Sequence, residues 1–185
     1  MLSSQADGDS ALRQLARQAG AMSKAQIPDS VLDQARLCIL DTVGCVLAGT
    51  RTDEAQLALA CEPATGDQTA TVFGTAHRRS LYGAARINGY LGDVLELNDL
   101  IGGHASIGNV TAALALGEAR GANGTNGANG TTVLEAVVRG IEVTTRVYEA
   151  VYPTLRRYTE MALVPVGIPS CIGVAAASAH LLALN

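Results

Sequence analysis

The chain has 185 residues, of which 48% are hydrophobic and only 16% are charged, and its formal net charge is −4. This length is enough to bury a core, and with no Trp and one Phe that core must be built from small aliphatic side chains. The negative charge and the lack of a basic stripe argue against a nucleic-acid partner or an anionic membrane surface.

The N-terminal part of the sequence predicts helices. Its first residues lack the basic and apolar regions of a signal peptide, and no apolar run reaches membrane-spanning length, so we expect a soluble, cytoplasmic protein. Apolar spacing predicts a short amphipathic helix over 10–22. Asp29 or Ser30 can cap the start of a longer helix that ends near Gly49 as its C-cap. Residues 53–61 are compatible with another short helix.

The middle of the chain predicts further helices and little else. The β-branched residues at 69–73 are compatible with an extended segment, which is too short to predict a sheet. Helical spacing returns over 80–92, 109–119 and 131–151. A low-complexity loop at 121–130 has no apolar anchor, and we expect it to be mobile.

The C-terminal part is irregular over 152–170, where three prolines occur. From Ile172 onward the sequence is strongly apolar and predicts a helix. This helix reaches the end of the chain without a cap or a polar tail, which favours a fragment of a longer protein.

The four cysteines favour neither a disulfide nor a metal site. Cys38 and Cys45 are seven residues apart, which is about 10 Å along a helix and too far for a disulfide. The sequence contains no Cys-x-x-Cys pair, which argues against zinc or iron–sulfur binding. We expect reduced, mostly buried thiols and no metal or other cofactor.

A glycine-broken loop between two predicted helices concentrates polar side chains. They are Glu96, Asn98, Asp99, His104 and Ser106. Loops held by rigid elements often carry chemistry, and a histidine can transfer protons at neutral pH. Glu96 or Asp99 would orient the ring, and on a helical turn these two acids would share one face. The alternatives are a histidine that makes a structural hydrogen bond and acids that cap a helix or lie in solvent.

Several segments, in order, resemble the MmgE/PrpD family, which includes 2-methylcitrate dehydratases, cis-aconitate decarboxylases and related epimerases. The matching motifs are Leu40-Asp41 on the first long helix, Asn88-Gly89, Glu96-Leu97-Asn98-Asp99 for the family's Asp-x-Asp-Asp, Gly103-His104-Ala105-Ser106 for its His-Pro-Ser, and Gly140-Ile141-Glu142-Val143 with Arg146. The resemblance spans nearly the whole chain. It implies an all-α, bundle-like fold, with 1–185 as the N-terminal portion of the large helical domain, the lid domain and C-terminal helices absent, and a homodimer.

The resemblance also implies a lyase that dehydrates a small polycarboxylate such as 2-methylcitrate by removing a proton next to a carboxylate. His104 would act as base or acid, supported by Glu96 or Asp99. The implied substrate-binding residues are Asn98, Gly103, Ser106 and Arg156, the last because arginine binds carboxylates through a fork of donors.

Three departures from the family pattern keep other reactions open. Glu96 is one methylene longer than the family's aspartate, and the interval to His104 is two residues shorter than in many members. Val164 stands at the position of a second family histidine, where it cannot transfer a proton. The alternatives are a decarboxylase, an epimerase or isomerase, and a non-catalytic association fragment. Among the remaining polar residues, we expect His77 in solvent, His180 in a core or an interface, and Arg78-Arg79 as a surface charge pair.

Overall fold

The structure is a computed structural model that describes residues 3–22, 26–100, 102–122, 128–151 and 166–184. These ranges form an all-α domain with one very short hairpin. The helices are α1 (Ser3–Ala21), α2 (Asp29–Gly49), α3 (Glu54–Cys61), α4 (Leu81–Asp93), α5 (Ala105–Ala122), α6 (Gly130–Val151) and α7 (Gly167–Leu181), and the strands are β1 (Ala70–Thr71) and β2 (Arg78–Arg79). The predicted fold class is confirmed. None of the helices in these ranges combines the length and the apolar character needed to cross a bilayer.

Helix α2 begins with an arrangement that differs from the prediction. Pro28 is the N-cap, and its carbonyl accepts hydrogen bonds from the amides of Val31 and Leu32 at 3.0 and 3.2 Å. No side chain within the described residues caps this terminus, so the expected cap by Asp29 or Ser30 is wrong. Both residues already lie in the first helical turn, which is where a helix that starts right after proline places them.

Small residues let α2, α4 and α5 approach closely. A Cβ on Gly49 would overlap the backbone carbonyl of Leu91, so the lack of a side chain at Gly49 allows this close packing. Gly49 is the last residue of α2 and Thr50 is the C-cap, so the expected C-cap at Gly49 is wrong. A Cβ on Gly92 would lie 2.6 Å from Cδ1 of Ile107 on α5. One apolar cluster of the core lies between these three helices.

Helices α5, α6 and α7 form the second half of the core. Asn109 of α5 donates through Nδ2 to Oγ1 of Thr144 on α6 at 2.9 Å and to the carbonyl of Ala105 at 2.7 Å. Gly140 leaves room for the Asn109 amide, and Gly173 of α7 lies directly against Thr144. Because Gly140 and Gly173 have no side chains, the three helices can pack closely around the buried hydrogen bond between Asn109 and Thr144.

The hairpin corrects the expectation that no sheet forms over 69–73. Its strands are antiparallel, and the paired residues are Ala70 with Arg79 and Thr71 with Arg78. Asn88 of α4 donates through Nδ2 to the Thr71 carbonyl and accepts from the Phe73 amide through Oδ1, both at 3.0 Å. Glu118 of α5 accepts from the amide of Thr71 at 2.8 Å. Side chains of two helices thus support a hairpin that is too short to form alone.

The C-terminal helix begins earlier than predicted. It starts at Gly167 and carries Pro169 in its first turn, where the missing N–H of proline has no intrahelical partner to lose. The expected irregular segment is therefore wrong for its last residues, and 152–165 lie outside the described residues. The expected loop at 121–130 is likewise shorter, since α5 reaches Ala122 and α6 begins at Gly130, and residues 123–127 are not described.

All four thiols are free. Cys38 and Cys45 are buried, whereas Cys61 and Cys171 are exposed, so the expectation of mostly buried thiols is wrong for the latter two.

Candidate active site

The connection from α4 to α5 is the segment that holds most of the predicted site residues. It leaves α4 through a turn in which the amide of Glu96 donates to the Asp93 carbonyl at 2.8 Å. Asn98 then donates through Nδ2 to Oδ1 of Asp93 at 2.9 Å, and its side chain is 7% exposed. Its Oδ1 has no hydrogen-bond partner within the described residues. Asn98 therefore ties the loop back to the end of α4.

Asp99 joins this loop to the first turn of α5. The Ser106 hydroxyl donates to Oδ2 of Asp99, and the Ser106 amide donates to Oδ1 at 3.5 Å. Amides in the first turn of a helix lack intrahelical partners, and a carboxylate at that end is favoured by the helix dipole. Asp99 thus caps the N-terminus of α5, although it lies seven residues before Ser106 in the sequence.

The pKa of Asp99 lies above its ordinary value of 3.8. Burial has the largest effect and raises this pKa, because it disfavours the charged form. The hydrogen bonds from Ser106 and the nearby imidazole of His104 lower it, whereas Asp41 of α2 raises it. A partly buried carboxyl group with a raised pKa beside a histidine is typical of functional sites.

His104 occupies an unusual backbone position immediately before α5. Its φ is +62°, in the left-handed region that L-residues with a side chain seldom adopt. The ring is half-buried, and Nδ1 is buried without a hydrogen-bond partner in the described part of the chain. The carboxylate of Asp99 interacts with this ring electrostatically but accepts its hydrogen bonds from Ser106.

Glu96 lies apart from this group. It is exposed, and its φ of +52° places it in a turn rather than on a helix. The prediction that Glu96 and Asp99 share one helical face is therefore wrong, because α4 has already ended at Asp93. Asp99, the other carboxylate considered as a partner of His104, interacts with it electrostatically.

Helix α2 adds two residues that sequence reasoning did not place at the site. Cys45 is buried, and burial first, then the charges of Asp41 and Asp99, raise the pKa of its thiol. Asp41 is one helical turn before Cys45 and acts on both Cys45 and Asp99. The only signal in the sequence is that Leu40-Asp41 belongs to the motifs of the family resemblance.

The predicted substrate-binding residues differ in position. Ser106 is 1% exposed, and Asn98 and Gly103 are buried. Asn98 contacts Asp93, Ser106 contacts Asp99, and Gly103 lies against Tyr148 of α6. Arg156 and Val164 lie outside the described residues. No group of three or more His, Cys, Asp or Glu side chains in the described ranges is arranged to hold a metal ion.

The other histidines and arginines lie elsewhere. His77 is exposed, as predicted. His180 is largely buried with Nε2 3.3 Å from Glu135, which agrees with the predicted core position. Arg78 forms an ion pair with Glu118 at 2.7 Å, but Arg79 is 8% exposed and donates to main-chain carbonyls, so the surface prediction is wrong for Arg79.

Comparison with protein families matches residues 13–185 to the MmgE/PrpD N-terminal domain. The chain belongs to the MmgE/PrpD family. No curated protein and no solved structure matches this chain.

Within this MmgE/PrpD domain, the motifs of the resemblance divide into two groups. Asn88 supports the hairpin, and Gly140 makes room for Asn109, so these two maintain packing. Arg146 pairs with Glu142 on the same helix. Residues 98–100 and 102–106 instead bring His104 and Asp99 together near the first turn of α5.

Proposed function

We propose that the protein containing this MmgE/PrpD domain dehydrates a small hydroxy-polycarboxylate such as 2-methylcitrate. The observation that supports this most directly is the position of Asp99, which is partly buried, has a raised pKa, and lies near His104 at the start of α5. A carboxyl group held in this way disfavours its own charge in the folded protein, which is characteristic of a site kept for function rather than for stability.

His104 acts as the base in the proposed reaction. It takes the proton from the carbon next to a substrate carboxylate, and the electron pair of that C–H bond forms the new carbon–carbon double bond as the C–O bond breaks. The departing hydroxyl group takes the proton from the imidazolium and leaves as water. Asp99 stabilises the imidazolium while it exists, since it attracts the ring electrostatically.

The buried residues of the loop support this pair. Asn98 fixes the loop to Asp93, and Ser106 holds the carboxylate of Asp99. Glu96 is exposed at the same loop, and we propose that it acts at the rim of the site. Arg156 stays the proposed partner for a substrate carboxylate. No metal or other cofactor enters this scheme, and we propose a cytoplasmic homodimer.

Turnover by the full-length protein tests this function. The panel is 2-methylcitrate, citrate, cis-aconitate and a tartrate-like acid, followed by NMR in deuterated water. Loss of water with a new alkene signal supports the proposal. Release of carbon dioxide would replace it with a decarboxylase, and deuterium incorporation without loss of water would replace it with an epimerase. No reaction with any of the acids would overturn it in favour of a non-catalytic protein.

A further inference from the structure

Two glycines bring the candidate loop against α6 immediately before His104. Gly102, Gly103 and His104 have φ values of +45°, +75° and +62°, so three successive residues lie in the left-handed region. The two glycines adopt it freely, but for His104 it costs about 1 kcal/mol or more, because Cβ crowds the backbone. Such a conformation persists where the surrounding structure determines it.

The surrounding structure here is one face of α6. A Cβ on Gly102 would lie 2.9 Å from Cα and 2.9 Å from Cβ of Thr145. A Cβ on Gly103 would lie 2.6 Å and 2.7 Å from Cδ2 and Cε2 of the Tyr148 ring. A side chain at either position would therefore require the loop or α6 to shift. Thr145 and Tyr148 are three residues apart and therefore point from the same face of the helix.

Helix α6 packs against both α5 and α7 at Thr144, next to Thr145. Thr144 accepts the buried hydrogen bond from Asn109 of α5 at 2.9 Å and contacts Gly173 of α7. A ring attached to such a helix is a rigid support for the part of the loop that directly precedes His104. The Tyr148 ring lies against Gly103, and Gly103 directly precedes His104.

We propose that Tyr148 is a positioning residue for His104. Its ring supports Gly103 and holds the left-handed turn, and this turn aims the imidazole at the reacting carbon. The inference rests on the proposed function, in which His104 moves the proton. Tyr148 acts through the backbone of Gly103, against which its ring lies, so we assign the positioning role to the ring.

The kinetic test compares three variants of the full-length protein. Tyr148→Leu removes the ring but keeps an apolar side chain, Tyr148→Phe keeps the ring, and Tyr82→Leu removes a tyrosine that is 83% exposed on α4. Misplacing a catalytic group by about 1 Å costs up to roughly 100-fold in rate, so Tyr148→Leu should lower kcat by about 10- to 100-fold. KM should change little, and Tyr148→Phe and Tyr82→Leu should retain the native kcat.

An NMR measurement tests the contact without turnover. The Tyr148 ring lies against Gly103, so the Gly103 Hα resonance should be shifted by the ring current in the native protein and in Tyr148→Phe. This shift should be lost in Tyr148→Leu, and the His104 ring signals should change while those of exposed His77 do not. Gly103→Ala, which pushes the loop away from an intact ring, should reproduce the loss of kcat and covers the case in which Tyr148→Leu does not fold.

The outcomes separate this inference from the proposed function. A native kcat in Tyr148→Leu, or an equal loss in Tyr148→Phe, overturns the positioning role of the ring. If His104→Gln itself leaves turnover unchanged, the proposed function fails, whatever Tyr148 does.

Discussion

Ser106 donates its hydroxyl hydrogen to the carboxylate of Asp99 and thereby joins the first turn of α5 to the loop that carries His104. The bond spans seven residues and holds a partly buried acid near a histidine. The bond fixes the C-terminal end of the loop and favours the ionised form of Asp99. Burial outweighs this effect, so the pKa of Asp99 is raised and its ionised form is disfavoured in the folded protein.

Asp99→Asn should stabilise the protein at pH 7 while it lowers turnover. Burial raises the pKa of Asp99, so the folded protein keeps this proton at a higher pH than the unfolded chain, which loses it near 3.8. Stability therefore falls as pH rises from about 3.8 through the folded pKa, and it stays reduced above that pH. Asparagine removes the charge and can still accept from Ser106. Urea unfolding at pH 7 measures the effect, with exposed Asp67→Asn as the control. A clear loss of stability in Asp99→Asn would contradict this account.

His180 should make stability depend on pH in the opposite direction. Burial, followed by the charge of Arg139, lowers the pKa of His180 below its ordinary 6.5, against the raising effect of Glu135. Below pH 6.5 the unfolded chain binds this proton first, so stability should fall as pH drops from 6.5 through the folded pKa. Replacing His180 with Gln should flatten that slope in unfolding curves taken from pH 7 to 5. An unchanged slope, equal to that of His77→Gln, would show that His180 does not contribute.

Gly173→Ala should destabilise the contact between α6 and α7. A methyl group there would overlap Thr144 Oγ1 and the carbonyl of Gly140, and overpacking of this kind costs about 1–3 kcal/mol. Gly44 of α2 has open space around its Cβ position, so Gly44→Ala should instead stabilise by about 0.5–1 kcal/mol. The free energy of unfolding in urea checks both. Equal effects of the two substitutions would mean that the helices are not in close contact at Gly173.

Glu118→Gln should loosen the hairpin. Burial tends to raise the pKa of Glu118, but hydrogen bonds from Thr71 and Arg78 outweigh it, so the net pKa is lowered and the charged form is favoured. The contribution is present above pH 4.5, the ordinary value, and is lost as pH falls through the folded pKa. We expect a loss of about 1–2 kcal/mol at pH 7 and faster hydrogen exchange at the Thr71 amide. Exposed Glu149→Gln is the control, and slow exchange at Thr71 in Glu118→Gln would contradict the prediction.

Local patterns in the sequence predicted the helices well. Helical apolar spacing predicted that α2, α4 and α6 exist, because this periodicity is a local property of the sequence. Local patterns do not predict the hairpin, because its pairing depends on Asn88 and Glu118. These residues are distant from Thr71 in the sequence and contact it only in the folded chain. The predicted side-chain cap of α2 is wrong because Pro28 is the N-cap and no polar side chain caps the helix there.

The candidate site was predictable in its location and not in its internal contacts. Polar residues on a glycine-broken loop pointed to 96–106, yet spacing alone could not show that Asp99 bonds to Ser106 or that Glu96 lies in solvent. The electrostatic effect of Asp41 on Asp99 joins residues that are far apart in the sequence, which no local pattern encodes.

Turnover by His104→Gln in the full-length protein tests the central claim most directly, with His77→Gln as the matched control. Glutamine keeps a polar side chain of similar size but cannot accept the proton. General-base catalysis contributes about 10²- to 10⁴-fold, so His104→Gln should lose activity by that factor on the acid that the native protein dehydrates, and His77→Gln should lose none. A His104→Gln protein that is folded and as active as His77→Gln would show that His104 is not the base.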